Sequence, residues 1–286
     1  MSSIDQFASV FNAASKPVYK HANIELNKIL VITDLEINQA KLYQQTIRTF
    51  LSIADTNGEA DWLTIPGEKF RTVHDLIQLV EKERPDIICT YRHLHSNAWR
   101  WPYSLGEHLD VLIQITDSPV LVLPHPDREG VPDHALNDTT HVMAVTDHLA
   151  GDDLLVNYAA RFTKTDGVLI LSHVEDESIF DRYIKSISKI PEIDTDTARD
   201  EIMAQLLKEP LEYISSCTET LAKEQPNITV TSSVTVGHQL KHFKNLIGEH
   251  QADLLIMNSK HEDQLAMHGM AYPLAVELRS APLLFL

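Results

Sequence analysis

Short apolar runs alternate with longer stretches of helical period along this chain, and the alternation occurs twice. Ile29 to Thr33 is apolar and β-branched throughout, which predicts a buried parallel strand ending at Asp34. Residues 37 to 54 carry Ile37, Leu42, Ile47, Leu51 and Ala54 at helical spacing, and Asn57 and Gly58 stop that helix. ADWLTIP predicts a second strand, closed by Pro66 and Gly67. Thr72 to Lys82 predicts a helix with Val73, Leu76, Ile77 and Val80 on its core face. Pro85 sets the exit of that helix, and Asp86 to Thr90 predicts a third strand. Further on, VLILSHV predicts a strand and Asp196 to Lys223 a long helical region, in which Pro210 reads as the first residue of a second helix. The strand NITVTSSVTVG, the helix QLKHFKNLIGEH and the strand ADLLIM follow.

The two halves of this pattern are related. GEHLDVLIQITDSPVLVL, from Gly106, and GMAYPLAVELRSAPLLFL, from Gly269, are 18-residue segments that align without a gap. The Gly, the Pro and two Leu are identical, and Val111, Ile113 and Ile115 exchange for Leu274, Val276 and Leu278. Each copy predicts a short amphipathic helix followed by a proline-led strand. Upstream, NKILVITD matches THVMAVTD, and PDIICT matches ADLLIM. The chain therefore divides into an extension over residues 1–26, a first unit over 27–125, a linker over 126–138 and a second unit over 139–286. Phe7, Val10 and Phe11 share a helical face, which predicts a short helix packed on the first unit or on a partner chain, with disorder as the alternative. Strands alternating with helices predict an α/β fold: two Rossmann-like open parallel sheets in tandem, the first shortened by a strand and a helix. In such sheets ligands bind at the carboxyl ends of the strands, where the strand order reverses. That places Asp34, Asp147 and the loops after Thr90 and Met257 in the candidate sites.

Charge narrows the partners. Lys and Arg number 24 against 41 Asp and Glu, a formal charge of −17, and such a surface repels phosphate backbones and anionic lipid. Nucleic acid and membrane are thereby disfavoured. No leader pattern opens the chain and no segment reaches membrane-span length, so the expected location is the cytoplasm. Cys89 and Cys217 have no ligand spacing and are expected to be buried and reduced.

An opening strand ending in Asp, a D-[LI]-[LI] strand, a loop, a Gly-led helix and a Pro-led last strand, all in two copies, resemble the universal stress protein family. The resemblance implies an adenine nucleotide alpha hydrolase-like fold and, in members that bind ATP, a G-x-x-G, nine-residue, G-[ST] phosphate loop. The physics of such a loop is close backbone approach at the glycines and a helix N-terminus facing an anion. In the second copy its positions fall on Asn258, His261, Gly269 and Met270, with Asp147 as the nucleoside-contacting carboxylate. In the first copy they fall on Tyr91, Leu94, Gly106 and Glu107, with Asp34 as the carboxylate. Both loops lack the glycine pair and the hydroxyl, and Glu107 supplies its own charge to the helix start and repels a phosphate. The reading is a stress-response regulatory or protein-binding module with weak or lost nucleotide binding. The alternative is a switch holding ATP or AMP with magnesium in the second unit, at most a slow ATPase.

The remaining candidates are weaker. Among 15 histidines, His93 and His95 share a face if their loop is extended, and with His108 they form a candidate metal set. No hydrolytic or redox motif is present. Asp152, Asp153, Glu175, Asp176 and Glu177 read as a solvated acidic face. The apolar last strands VLVLP and PLLFL need covering or pairing. The resemblance implies pairing through last strands, hence an intrachain pseudo-dimer with room for a homodimer, and an unidentified protein partner.

Overall fold

The computed structural model describes residues 17–55, 57–100, 104–126, 136–146, 148–259 and 271–286. The first half runs β1 (Lys28–Ile32), α1 (Ile37–Phe50), β2 (Asp61–Ile65), α2 (Val73–Glu83), β3 (Ile87–Tyr91), α3 (Glu107–Ile115) and β4 (Val120–Leu123). The second runs β5 (His141–Thr146), α4 (Asp153–Phe162), β6 (Val168–Asp176), α5 (Glu177–Ile187), α6 (Thr195–Glu224), β7 (Thr229–Gly237), α7 (Gln239–His250), β8 (Leu254–Met257), α8 (Ala271–Glu277) and β9 (Leu283–Phe285). The strands form one nine-stranded sheet in the order β2-β1-β3-β4-β9-β8-β5-β6-β7. Every neighbouring pair is parallel except β4 and β9, which run antiparallel. The two apolar last strands are thus neighbours in the middle of a single sheet. Both are fully buried, so their ladder is shielded from water.

The hydrogen bonding repeats with the sequence. Ile29 stands beside Ile87 as Val142 stands beside Leu254. Asp86 accepts from the Lys28 N–H at 2.8 Å, and Asp253 accepts from the His141 N–H at 2.8 Å. These two carboxylates tie the start of each half's first strand to the strand beside it. The carbonyls of Pro119 and Pro282 likewise receive the N–H groups of Ile88 and Leu255.

Local chemistry accounts for several helix ends. Thr72 and Asp75 form a capping box at the start of α2, and Arg84 leaves that helix in the left-handed conformation. Asp176 accepts from the Ser178 and Ile179 N–H groups and starts α5, which buries Phe180 and Ile184. This helix is not among the elements predicted above, although Ile179, Phe180, Tyr183, Ile184 and Ile187 recur at helical spacing. The first half therefore lacks counterparts of α5, α6 and β7, which is one helix more than the single strand and helix expected. Helix α6 is also continuous through Pro210, where two helices were expected. An interior proline costs about 3 kcal/mol. Tyr213, Ile214, Cys217 and Leu221, buried on the far side of Pro210, offset that cost and hold the helix in one piece.

Residues 19–22 lie against the second half. Tyr19 is buried, stands edge-on to Tyr213, and donates to Asn157 Oδ1 at 2.6 Å, an atom that also accepts from the Ala22 N–H. The helix expected around Phe7, Val10 and Phe11 lies outside the described residues. So does most of the expected linker.

Two arginines link the halves in opposite directions. Arg92, just after β3, donates through Nη2 to the carbonyls of Ala275 and Leu278, at 2.7 and 2.8 Å, where α8 ends. Arg161, in α4, donates to the carbonyls of Ile24, Ile53 and Ala54 at 3.1, 2.5 and 2.8 Å. Carbonyls at helix ends have no intrahelical partner, and a guanidinium fork supplies several donors at once.

Candidate functional site

The strand order reverses on either side of β1 and of β5, so each half has a switch point at the carboxyl ends of its strands. In both halves the threonine ending the first strand accepts, through Oγ1, from the N–H two residues on, at 3.1 Å. Thr33 does so with Leu35 and Thr146 with His148. In the first half this small turn brings Asp34 to the mouth of the crevice.

In the first half that crevice is filled by the chain itself. Tyr91, the last residue of β3, is fully buried, and its hydroxyl donates to Asp34 Oδ1. The same phenolic oxygen accepts from Thr33 Oγ1 at 2.7 Å and from the Asp34 N–H at 3.2 Å. Asp34 Oδ2 accepts from the His95 N–H at 2.8 Å. Both carboxylate oxygens are therefore engaged, one by a phenol and one by a loop amide. The Tyr91 ring stands edge-on to Tyr43 at 5.5 Å and to His125 at 4.8 Å, so aromatic surface closes the sides. Burial, followed by the Asp34 carboxylate, pushes the Tyr91 hydroxyl well above its ordinary value, and it stays a neutral donor.

Two glycines let the surrounding loops close this tightly. A Cβ on Gly67 would sit 2.4 Å from the Asp34 carbonyl oxygen. Gly106 has φ +94°, and a Cβ there would sit 2.8 Å from the His93 Cα. Gly106 thus serves close loop packing, with the His93 N–H donating to the Leu105 carbonyl at 2.9 Å. Glu107 is exposed at the first turn of α3.

The loop carrying the candidate metal set is curled, not extended. His93 and His95 have φ of 61° and 58°, which removes the shared face an extended loop would give them. The His95 and His108 rings pack on Phe70 at 4.7 and 5.7 Å, and His108 Nε2 lies 3.2 Å from the Arg71 carbonyl. Burial lowers the pKa values of His93 and His95 and favours their neutral forms. Among the described residues no cluster of His, Cys, Asp or Glu is arranged to hold a metal ion.

The second half places a different group at the equivalent position. By register Asn258 stands where Tyr91 stands in the first half. Its Nδ2 donates to Asp152 Oδ2 at 2.6 Å, and Asp152 Oδ1 accepts from the Leu155 N–H at 3.1 Å, which starts α4. Asp147, His261, Gly269 and Met270 lie outside the described residues. Asp152 and Asp153 are half-buried and bonded, the latter accepting from the Tyr213 hydroxyl at 2.7 Å, so the reading of both as a solvated face is corrected. An acidic pair before an apolar helical run is itself the sign of a helix start.

Burial raises the Asp152 carboxyl above its ordinary value, against the hydrogen bonds from Leu155 and Asn258 that lower it. A carboxyl raised in the folded state binds more protons folded than unfolded, so its contribution to stability falls as pH rises through that window. Asp152→Asn keeps a cap oxygen, and an amide flip of Asn258 restores the second bond. The variant's stability relative to the parent protein is expected to rise between about pH 4 and neutrality, checked by urea unfolding across pH.

Elsewhere, a cavity of about 500 Å³ opens at the amino ends of the strands, lined by residues including Asn27, Asp55, Arg161, Thr163 and Asn227. Cys89 and Cys217 are free and buried, and burial pushes the Cys217 thiol up to about 12. No helix among the described residues is long and apolar enough to cross a membrane.

No family model and no curated protein sequence matches the chain. Solved structures do. A universal stress protein from Archaeoglobus fulgidus matches at TM-score 0.53 and 16% identity, over 92% of this chain and 97% of that one. A protein of unknown function from Pseudomonas aeruginosa matches at TM-score 0.51 and 11% identity, over 91% and 92%. A third chain, from the same species and provisionally classed as a universal stress protein, matches at TM-score 0.50 and 11% identity, over 91% and 93%. The protein has the α/β fold of universal stress proteins, along nearly its whole length.

Proposed function

We propose that the chain is a tandem member of the universal stress protein family, acting in the cytoplasm as a regulatory module that recognises another protein, with nucleotide binding weak or lost. The observation that carries this reading is the first-half crevice, in which Tyr91 and the His95 amide occupy both oxygens of Asp34. A nucleoside entering there would have to displace a buried phenol and leave its hydrogen-bonding partners unpaired. The exposed Glu107 points the same way, because its carboxylate at the first turn of α3 repels a phosphate.

A second reading is supported by Asn258, which brings no aromatic ring into the second-half crevice. On that reading ATP or AMP, with magnesium, binds near Asp147 and Gly269 and is hydrolysed slowly or not at all. Thermal unfolding of the full chain with and without millimolar ATP, AMP and magnesium separates the two. A ligand at one hundred times its dissociation constant stabilises a fold by about 2.7 kcal/mol. An unmoved transition is the expected result. A rise that Asp147→Ala abolishes would instead make the second half a nucleotide switch.

A further inference from the structure

The sheet ends in two unlike edges. Strand β2 is five residues long, carries Asp61 and stops at Pro66, all of which discourage a further strand from pairing. Strand β7, at the other end, has none of these guards. It is nine residues long, TVTSSVTVG, without a charge or a proline, and all nine residues are in register with β6. Among the described residues no strand pairs with its outer side.

The backbone direction of that edge follows from one bond. The Thr229 N–H donates to the Gly167 carbonyl, so the odd-numbered residues of β7 turn their peptide groups toward β6. Val230, Ser232, Val234 and Val236 therefore turn theirs outward. We infer that this edge pairs with the same edge of a second copy of this chain, antiparallel and two-fold about Ser233, joining two sheets into one.

The register is set by symmetry. A two-fold axis perpendicular to the sheet keeps each residue on its own face, so the two paired residue numbers must have an even sum. Full overlap of nine residues is reached only with Ser233 opposite Ser233. Val230 then meets Val236, Thr231 meets Thr235 and Ser232 meets Val234, and the outward peptide groups of the even-numbered residues meet in hydrogen-bonded pairs. Val230 and Val234 already pack against the core, so the valine face of one copy continues into that of the other. The strand reads nearly alike in both directions, which favours a second copy over an unrelated extended segment. It also presents no charge at the seam, where two chains of formal charge −17 would otherwise repel. Strand β9 has β4 on one side and β8 on the other, so chain-to-chain pairing through last strands has no free edge to use.

Sedimentation of the full chain from micromolar to hundred-micromolar concentration, with hydrogen exchange resolved by residue, tests the pairing. The expected result is a dimer in which the amides of Val230, Ser232, Val234 and Val236 are protected. Ser232→Pro removes an outward N–H that makes no bond among the described residues, and an edge strand tolerates proline at such a position. It should give a monomer whose unfolding transition matches that of the parent protein at concentrations too low for the parent to dimerise. Ser232→Lys, at an exposed position, should weaken the dimer at least tenfold, and it covers the case in which the proline variant fails to fold. Ser233→Pro, whose N–H points inward, should lower stability instead. A chain that stays monomeric throughout the range, or a dimer unaffected by both Ser232 variants, would overturn the inference.

Discussion

Replacing Tyr91 with alanine is expected to lower the free energy of unfolding by about 4 kcal/mol, in the range of large-to-small aromatic truncations in a core. The ring is fully buried between Tyr43 and His125, so its removal leaves a void that the strands on either side of β3 cannot close. The hydroxyl adds a separable part. Tyr91→Phe keeps the ring and deletes the donor to Asp34, and also the acceptor used by Thr33 and by the Asp34 N–H. That variant should cost about 1 to 3 kcal/mol, the penalty for leaving buried polar groups unpaired. Urea unfolding of the three proteins checks both values. Equal stability of Tyr91→Phe and the parent protein would mean that the ring alone fills the crevice and that its link to Asp34 is incidental.

Replacing Arg92 with alanine should lower stability by about 3 kcal/mol and do so most visibly at α8. Arg92 is 5% exposed, and its guanidinium is a donor for the carbonyls that end α8. Charge-assisted bonds to buried acceptors contribute about 1.5 to 3 kcal/mol each, and the truncation also leaves a gap under the helix. Arg92→Lys should recover only part of the loss, because one ammonium cannot reproduce the planar fork that reaches two carbonyls from two nitrogens. Urea unfolding gives the total, and hydrogen exchange at α8 shows where it falls. An α8 whose exchange is unchanged in Arg92→Ala would remove this arginine from the joint between the halves. Arg161 offers a milder comparison, since its three acceptors border the 500 Å³ cavity and water can replace the lost donors.

How far the sequence speaks for itself differs between the fold and the crevices. Strands β1, β3 and β8 are legible because a buried parallel strand must be apolar on both faces, which produces runs such as ILVI, IICT and LLIM. Helix α7 is legible to the residue, because its apolar positions recur at helical spacing. Helix α5 carries the same signal in Ile179, Phe180, Tyr183, Ile184 and Ile187 but is absent from the predicted elements, and the structure brings it out through the Asp176 cap and the burial of Phe180 and Ile184. The break expected at Pro210 reflects an intrinsic cost that tertiary burial outweighs. The crevices show the same division. The sequence marks Asp34 and Tyr91 as candidates by position, but it cannot say that the two bond to each other. It gives Asp152 as one acid among several, and only the neighbouring Asn258 and the start of α4 show what that acid does.

The sequence by itself determined the repeat, the alternation of strands and helices and the apolar character of both last strands, because each is carried by residues close together in the chain. The tertiary structure decided that β4 and β9 join the halves into one sheet, that Tyr91 closes the first crevice onto Asp34, and that β7 is left as the unguarded edge. Those outcomes depend on contacts between residues far apart in sequence, such as Val120 with Phe285 and Asp152 with Asn258. Pairings of that kind are selected by the fit and burial of the whole assembly, and no local pattern encodes them.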